Sequence, residues 1–290
     1  MTSIKRLLYR TLATYSPINN CLSPRLNWRY YRYHQACRRI SGKQGVYLAD
    51  PAKLSGLRVE GALPSQLAQR FSKTITKLIK RGEGVTIEPA NPTFVGIQRP
   101  LQNVSENLLD IFDSSVLNEA LEDYFGGHYR VLWLDCYRTV PAEVRKQAWL
   151  WHIDNVPYGL AKIQLLLTHT KVENGAMDLL SPEDTKKMRK MGYFGELVCE
   201  RKAAIELESK CVSVVSCTGR PGDVFLFDNN NLHRANPPEL GYRDAVTALL
   251  APSHKPWHEI RANLDIAKFT SKSGGYPSDP FQLLVKGEYP

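Results

Sequence analysis

Residues 151–154 read Trp-His-Ile-Asp, and residues 221–233 read Pro-Gly-Asp-Val-Phe-Leu-Phe-Asp-Asn-Asn-Asn-Leu-His. In an extended chain, residues i and i+2 point to the same side, so the side chains of His152 and Asp154 are expected to converge. The apolar run in the second stretch is typical of a buried strand. It places His233 just beyond the end of that strand. Together the two stretches decide how the fold is interpreted.

His152, Asp154 and His233 offer two imidazoles and one carboxylate. This donor set binds non-haem Fe(II) on one face and leaves the opposite face open. Arg243 lies ten residues after His233, and its guanidinium suits a carboxylate of a co-substrate because it binds in a bidentate manner. Turn residues separate the two. If that hairpin centres on Pro238, His233 and Arg243 lie directly opposite each other, with Cβ atoms about 5 Å apart.

At these residues the chain resembles the phytanoyl-CoA dioxygenase family of Fe(II)/2-oxoglutarate-dependent oxygenases. The resemblance covers residues 128–252 and is carried by the segments 151–154, 162–167, 172–175, 221–227 and 232–236 and by Arg243. It implies a mainly β fold with flanking helices, built on a double-stranded β-helix (jelly-roll, cupin-like) core. It also implies Fe(II) as cofactor, with 2-oxoglutarate and O2 as co-substrates. Carried over by position, the metal ligands and catalytic residues are His152, Asp154 and His233, and Arg243 holds the distal carboxylate of 2-oxoglutarate.

Four further side chains are candidates for contact with the co-substrate. Lys162 and Gln164 point to one face of their strand, and Tyr137 and Gln147 are near the site in sequence. Each also has a purely structural interpretation, as a surface lysine, a glutamine on an edge strand or a packed tyrosine. The sequence leaves both interpretations open.

One departure from the family pattern concerns the substrate. After Asn174-Gly175 the family continues toward Pro-Gly-Ser-His, whereas residues 176–184 read Ala-Met-Asp-Leu-Leu-Ser-Pro-Glu-Asp. An acyl-CoA, a free small metabolite, a lipid and a glycan-linked intermediate therefore all remain open. Asp154 disfavours the halogenating variants of the family, in which a small residue replaces the carboxylate ligand.

We therefore expect an Fe(II)- and 2-oxoglutarate-dependent dioxygenase that hydroxylates a C–H bond of a small-molecule or lipid-like substrate. One alternative is a non-catalytic binding or scaffold protein on the same jelly-roll. The other is a metal-dependent, cupin-like enzyme that does not use 2-oxoglutarate. The variant Arg243→Ala separates the dioxygenase from the enzyme that does not use 2-oxoglutarate. Loss of co-substrate affinity with retention of iron would support the dioxygenase.

Composition agrees with a globular enzyme. The chain has 290 residues, of which 43% are hydrophobic and 23% charged, which is ordinary for a folded domain. No apolar run reaches the roughly 18 residues that a membrane span needs. The six cysteines, Cys21, Cys37, Cys136, Cys199, Cys211 and Cys217, contain no Cys-x-x-Cys pair. They are typical of reduced thiols in a reducing compartment.

The net charge of +9 resides in an N-terminal arm. Residues 1–49 contain nine Lys/Arg and no acidic residue, whereas the predicted oxygenase domain, residues 50–290, has 29 of each sign. Within the arm, Tyr30, Tyr33 and Cys37 form one helical stripe and Arg29, Arg32 and Arg39 another.

Three interpretations of the arm follow. Residues 1–40 suit contact with an anionic membrane surface, a mitochondrial transit peptide in a eukaryotic protein, or a helical extension packed on the core. We expect a cytoplasmic location, with the membrane surface and the mitochondrion as alternatives. Nucleic-acid binding is not expected, because no recognisable nucleic-acid-binding module accompanies the positively charged arm.

A basic helix is predicted between the two metal-ligand motifs. Ser181 suits its N-cap and Pro182 its first position, and the helix carries Lys186, Lys187, Arg189 and Lys190. Two interpretations are open, a lid over an anionic substrate or a solvated charged face.

Overall fold

The computed structural model describes residues 28–42, 56–88, 91–143, 147–154, 156–157, 159–191, 193, 213–266, 269, 276–277 and 279–285. Its α-helices are α1 (Trp28–Ile40), α2 (Ser65–Arg81), α3 (Pro100–Asn103), α4 (Ser115–Phe125), α5 (Pro182–Lys190), α6 (Trp257–Ala262) and α7 (Gln282–Val285). Short 3-10 helices span Glu106–Asp113, Gln147–Trp149 and Val172–Asn174.

The strands form two antiparallel sheets. They are β1 (Leu57–Val59), β2 (Val85–Glu88), β3 (Asn91–Ile97), β4 (Tyr129–Thr139), β5 (Ala161–Leu166), β6 (Asp178–Leu180), β7 (Val214–Ser216), β8 (Val224–Asp228), β9 (His233–Arg234) and β10 (Arg243–Pro252). The large sheet has the order β1-β8-β5-β10-β4-β3-β2, and the small sheet has the order β7-β6-β9. β2, β3 and β4 pair in sequence order, whereas β1 with β8, β5 with β8 and β10, and β4 with β10 are pairs of strands distant in sequence, as in a jelly-roll.

Alternation along the strands gives the large sheet two different faces. On one face, Val246 and Ala248 of β10 pack with Phe71 and Ile75 of α2 in the main hydrophobic core. On the other face, the large sheet meets the small sheet through a second apolar cluster of Leu166, Met177, Leu179, Cys217, Phe225 and Phe227. The two sheets therefore face each other, and the predicted mainly β jelly-roll with flanking helices is confirmed.

Two glycines in the family-like segments are required by close approach of the backbone. Gly222 has φ +98°, and a Cβ atom there would lie 2.1 Å from the carbonyl oxygen of Leu63. Gly175 has φ +82°, and its Cβ would lie 2.5 Å from the carbonyl oxygen of Asn236. Only glycine adopts such backbones without strain, so these motif positions serve the fold.

Helix α1 packs on the core. Tyr30, Tyr33 and Cys37 are buried against residues of β4 and β10 that include Trp133 and Leu249. The opposite stripe is exposed at Arg29, Arg32 and Arg39. The packed extension therefore describes residues 28–40, while residues 1–27 lie outside the described part of the chain. Among the described residues, no helix is both long and apolar enough to cross a membrane.

Three cysteines lie within the described residues. Cys37, Cys136 and Cys217 are buried free thiols, and the reduced state of all six cysteines stays a prediction. The other three belong to the undescribed segments.

Candidate metal centre

The two segments that carry the histidines pair directly with each other. The backbone N–H of His152 donates to the carbonyl of His233, and the reverse bond is also formed, each at 2.9 Å. This isolated antiparallel bridge brings the two imidazole centroids to 4.3 Å. Because the bridge is made by backbone atoms, the rings are held together independently of any bond between the side chains.

Each imidazole is oriented by a carbonyl two residues before it. Nδ1 of His152 lies 2.9 Å from the carbonyl oxygen of Leu150, and Nδ1 of His233 lies 2.8 Å from that of Asn231. With Nδ1 as the donor, Nε2 keeps its lone pair for a metal. Nε2 of His233 lies 3.3 Å from Oδ2 of Asp154. One ligand atom from each of the three residues lies within 4.8 Å of the others.

Asp154 is held as a carboxylate by its neighbours. Its Oδ2 accepts a hydrogen bond from Nζ of Lys162 at 2.8 Å. Burial alone would raise the pKa of Asp154, but the Lys162 ammonium and the His233 ring outweigh it, and the pKa lies well below its usual range. The third donor is therefore anionic, as a metal ligand must be.

A buried polar loop of residues 228–231 supports these ligands from behind. The carbonyl of Asn229 accepts the backbone N–H of Asp154 at 3.0 Å. Asp228 accepts from Asn230 N at 2.6 Å and from the hydroxyl of Tyr124 at 2.8 Å, and burial raises the pKa of Asp228. This loop was not among the predicted site residues, although the run Asp-Asn-Asn-Asn directly after a buried strand is a recognisable turn signal.

Arg243 is fully buried on the face of the large sheet that looks toward the small sheet. Its side chain is 0% exposed, and its Nη1 donates to the carbonyl of Gly175. Its Nε and Nη2 have no hydrogen-bond partner in the described structure. Burial lowers the pKa of Arg243. A buried cation with two uncommitted donor atoms is suited to a bound carboxylate.

The predicted opposition of His233 and Arg243 is wrong. His233 belongs to β9 of the small sheet, opposite Leu179 of β6, whereas Arg243 begins β10 of the large sheet, opposite Thr139 of β4. The connection between them crosses from one sheet to the other, so it is not a hairpin. The residue opposite His233 on its other side is His152.

Comparisons with known proteins bear on the fold. No model of a protein family matches the sequence, and no curated protein matches it either. Among solved structures, the epimerase SnoN in complex with Fe3+, alpha ketoglutarate and nogalamycin RO matches with a TM-score of 0.50 and 15% identity, over 75% of this chain and 84% of that chain. EctD from S. alaskensis with bound Fe matches with a TM-score of 0.50 and 15% identity, over 69% and 73%. This chain has the jelly-roll fold of the iron- and 2-oxoglutarate-dependent oxygenases.

The residues present at the centre of this oxygenase fold suit a metal ion. Two imidazoles that direct Nδ1 to backbone carbonyls and one carboxylate form a donor set that favours Fe(II) and leaves coordination positions open. The donors are buried or half-buried and converge within 4.8 Å. The predicted ligands His152, Asp154 and His233 are therefore brought together, and that Arg243 binds an anion stays a prediction.

Three of the other predicted contacts, Lys162, Gln164 and Tyr137, lie on the inner face of the large sheet. Lys162 reaches Asp154. Nε2 of Gln164 donates to the hydroxyl of Tyr137 at 3.0 Å, and that hydroxyl lies 3.1 Å from Oγ1 of Thr247. The side chain of Gln147 lies outside the described part of the chain. That these side chains contact a co-substrate stays a prediction.

Helix α5 is anchored beside the centre rather than spread over solvent. Ser181 accepts from the backbone N–H of Asp184, as predicted for its N-cap. Thr185 accepts from the backbone N–H of Leu232. Met188 is buried in a cluster with Trp151, Ile153 and Leu232. The helix thus packs on both ligand-bearing segments, while Lys186, Lys187 and Lys190 remain exposed.

Proposed function

We propose that this protein is an Fe(II)- and 2-oxoglutarate-dependent dioxygenase that hydroxylates a C–H bond of an organic substrate. One observation carries the proposal: the ligand atoms of His152, Asp154 and His233 converge within 4.8 Å between the sheets of a jelly-roll. A binding or scaffold protein has no need for two oriented imidazoles, a carboxylate and a buried guanidinium with two donor atoms that lack a partner.

The three ligands are prepared before any metal arrives. Both histidines direct Nδ1 to a carbonyl oxygen, so each offers Nε2. Asp154 stays ionised because its pKa is low, and it neutralises part of the metal charge. When bound, Fe(II) with 2-oxoglutarate and O2 supplies the oxidation, in which a substrate C–H becomes C–OH and 2-oxoglutarate becomes succinate and CO2.

Arg243 is proposed to hold the distal carboxylate of 2-oxoglutarate. Its guanidinium is fully buried, and removing a charge from water costs several kcal/mol unless it is paired. Nη1 is already committed to Gly175, which fixes the plane of the group. Nε and Nη2 remain for the two oxygens of a carboxylate, in the bidentate geometry that a lysine cannot provide.

Neighbouring side chains shape the rest of the co-substrate site. Gln164 and Tyr137 share the inner face of the large sheet with Arg243 and form one hydrogen-bonded chain. Lys162 stands next to the metal ligand Asp154, where an ammonium favours an anion close to the metal. Phe225 and Phe227 line the same face and exclude water from it.

Membership of the phytanoyl-CoA dioxygenase family is proposed on the sequence resemblance of residues 128–252. The absence of the Pro-Gly-Ser-His stretch after Gly175 leaves the substrate class open within that family. The fold does not decide it, since one fold serves many substrates.

The decisive experiment is an anaerobic titration of the purified apoprotein with Fe(II) and then 2-oxoglutarate. The visible charge-transfer band of the chelated keto acid is followed in wild type, His152→Ala and Arg243→Met. We expect the band in wild type and none in His152→Ala. Arg243→Met should bind iron normally and need at least about 100-fold more 2-oxoglutarate, because a charged bidentate contact is lost.

The same titration separates the alternatives. A folded protein that binds no Fe(II) would support the scaffold. A protein that binds Fe(II) and gives no band at any 2-oxoglutarate concentration would support a metal-dependent cupin-like enzyme. If Arg243→Met binds 2-oxoglutarate as wild type does, the role proposed for Arg243 is wrong.

A further inference from the structure

One short, buried loop forms hydrogen bonds with both segments that carry the proposed metal ligands. The loop of residues 228–231 offers the carbonyl of Asn229 to the backbone N–H of Asp154 at 3.0 Å. It offers the carbonyl of Asn231 to Nδ1 of His233 at 2.8 Å. The conformation of this loop therefore decides where one carboxylate lies and how one imidazole is turned.

The carboxylate of Asp228 determines that conformation. Its Oδ1 accepts from the backbone N–H of Asn230 at 2.6 Å and from Nδ2 of the same residue at 2.9 Å. The backbone N–H of Asn231 donates to the carbonyl of Asp228 at 3.1 Å. An Asx turn is thus combined with a backbone turn in consecutive residues. The side chain of Asp228 is 2% exposed, so water does not compete for these bonds.

We propose that Asp228 is a positioning residue that presets Asp154 and His233 for the metal through the carbonyls of Asn229 and Asn231. The inference rests on the proposed metal site and deepens it. The described side-chain hydrogen bonds of Asp228 go to Tyr124 and Asn230 and not to the donor atoms of the metal ligands. It acts by keeping two backbone carbonyls aimed at two ligand residues.

Two further side chains, one from each of two helices, hold the loop in place. The hydroxyl of Tyr124, in helix α4, donates to Oδ2 of Asp228 at 2.8 Å. Nη2 of Arg189, in helix α5, donates to the carbonyl of Asn230 at 2.7 Å. The second carboxylate oxygen of Asp228 is therefore hydrogen-bonded to α4, and the backbone of the turn is hydrogen-bonded to α5. Orienting groups of this kind change metal affinity by about 10- to 100-fold when removed.

The experiment compares Co2+ binding by wild type, Asp228→Ala, Asp228→Asn and Tyr124→Phe under argon. Asp223→Asn is the matched control: Asp223 is also buried at an end of β8 and also accepts turn N–H groups, from Gly61 and Arg220, but among the described residues no hydrogen bond joins this turn to a metal ligand. Competition with a chelating dye gives the affinity, and the ligand-field spectrum of bound Co2+ reports its coordination. Thermal unfolding of the apoproteins is measured alongside.

Asp228→Ala should weaken Co2+ binding by at least about 10-fold and change the ligand-field spectrum. Asp228→Asn keeps one carbonyl oxygen for Asn230 and should recover part of the affinity. Tyr124→Phe should shift affinity in the same direction by less. Asp223→Asn should lower the unfolding temperature and leave the Co2+ affinity and spectrum unchanged. If Asp228 acted only by stabilising the fold, the Asp223 and Asp228 variants would change Co2+ binding alike.

Several results would overturn the inference. One is a Co2+ affinity of Asp228→Ala equal to that of wild type; another is an equal loss of affinity in Asp223→Asn. If Asp228→Ala does not fold, unchanged affinity and spectrum in both Asp228→Asn and Tyr124→Phe decide against it. Absence of Co2+ binding by wild type would instead remove the proposed metal site, so the two failures are distinguishable.

Discussion

Nζ of Lys162 lies 2.8 Å from Oδ2 of Asp154, so an ammonium and the proposed metal share one carboxylate. The same Nζ lies 5.5 Å from the ring centroid of Trp133, which leaves it on the inner face of the large sheet. Two cations beside one carboxylate repel each other. Lys162 therefore opposes the metal and favours an anion next to it.

Lys162→Met should change the two affinities in opposite directions. Without the ammonium, Co2+ binding should tighten by about tenfold, which corresponds to roughly 1.4 kcal/mol. The affinity of the metal-loaded protein for 2-oxoglutarate should fall by a similar factor, because a positive charge is lost beside the dicarboxylate. Dye competition measures the first affinity and the charge-transfer band measures the second.

Lys73→Met is the control for Lys162→Met, since it removes the same charge from an exposed position of α2. It should leave both affinities as in wild type. A loss of both affinities in Lys162→Met would mean that the lysine supports the fold of the centre instead of competing with the metal.

Tyr137→Phe should weaken the binding of 2-oxoglutarate and leave the affinity for the metal unchanged. The hydroxyl joins Gln164 and Thr247, and its removal leaves the amide of Gln164 free to turn away from the co-substrate. The ring stacks on Phe94 at 4.8 Å between centroids, so the packing is retained in the variant. We expect about a tenfold loss of 2-oxoglutarate affinity, near the value of one buried hydrogen bond.

Titration of iron-loaded Tyr137→Phe with 2-oxoglutarate measures that loss, and Co2+ competition supplies the reference. Equal 2-oxoglutarate affinities in the variant and wild type would assign Tyr137 to packing alone, the other interpretation that the sequence allows.

The part of the site that follows from local geometry could be predicted. His152 and Asp154 are two residues apart, a spacing that turns both side chains to one side of an extended chain, and an apolar run marks the strand before His233. The opposition of His233 and Arg243 could not be predicted in this way. Their short separation suggested a hairpin, but β9 and β10 belong to different sheets, and which sheet a strand joins depends on partners far away in sequence.

The same limit explains why the loop of residues 228–231 was missed. A run of Asp and Asn predicts an exposed turn, yet Asp228 and its three neighbours are buried. Their burial depends on Tyr124 from α4 and Arg189 from α5. Neither partner adjoins the loop in sequence, so no local pattern contains this information.

Tyr33 should account for much of the attachment of helix α1. The ring is fully buried, and its hydroxyl donates to the carbonyl of Pro252 at 2.8 Å. Tyr33→Ala should lower the free energy of unfolding by about 3–5 kcal/mol, and Tyr33→Phe by about 1 kcal/mol. Urea unfolding measures both. If Tyr33→Ala lowers the free energy of unfolding by less than about 1 kcal/mol, α1 contributes little to the stability of the fold.

His34, also in α1, should make the fold sensitive to acid. Nε2 lies 2.7 Å from the carbonyl oxygen of Phe125, and burial lowers the pKa of His34 to about 4, against about 6.5 in an unfolded chain. Between these values the unfolded chain binds more protons, so stability is complete above about pH 6.5 and declines as the pH falls toward 4. The loss at about pH 4 should be about 3 kcal/mol.

His34→Gln tests this origin of the acid sensitivity. A glutamine retains a donor for the carbonyl of Phe125 and does not titrate, so the variant should lose about 3 kcal/mol less than wild type between about pH 7.5 and pH 4. Urea unfolding at a series of pH values gives the two slopes. His258→Gln, which removes an exposed histidine from α6, is the control. A buried histidine that gains a proton only on unfolding must contribute to the slope of the free energy of unfolding against pH. Equal slopes in His34→Gln and wild type would therefore mean that other groups cause the acid sensitivity.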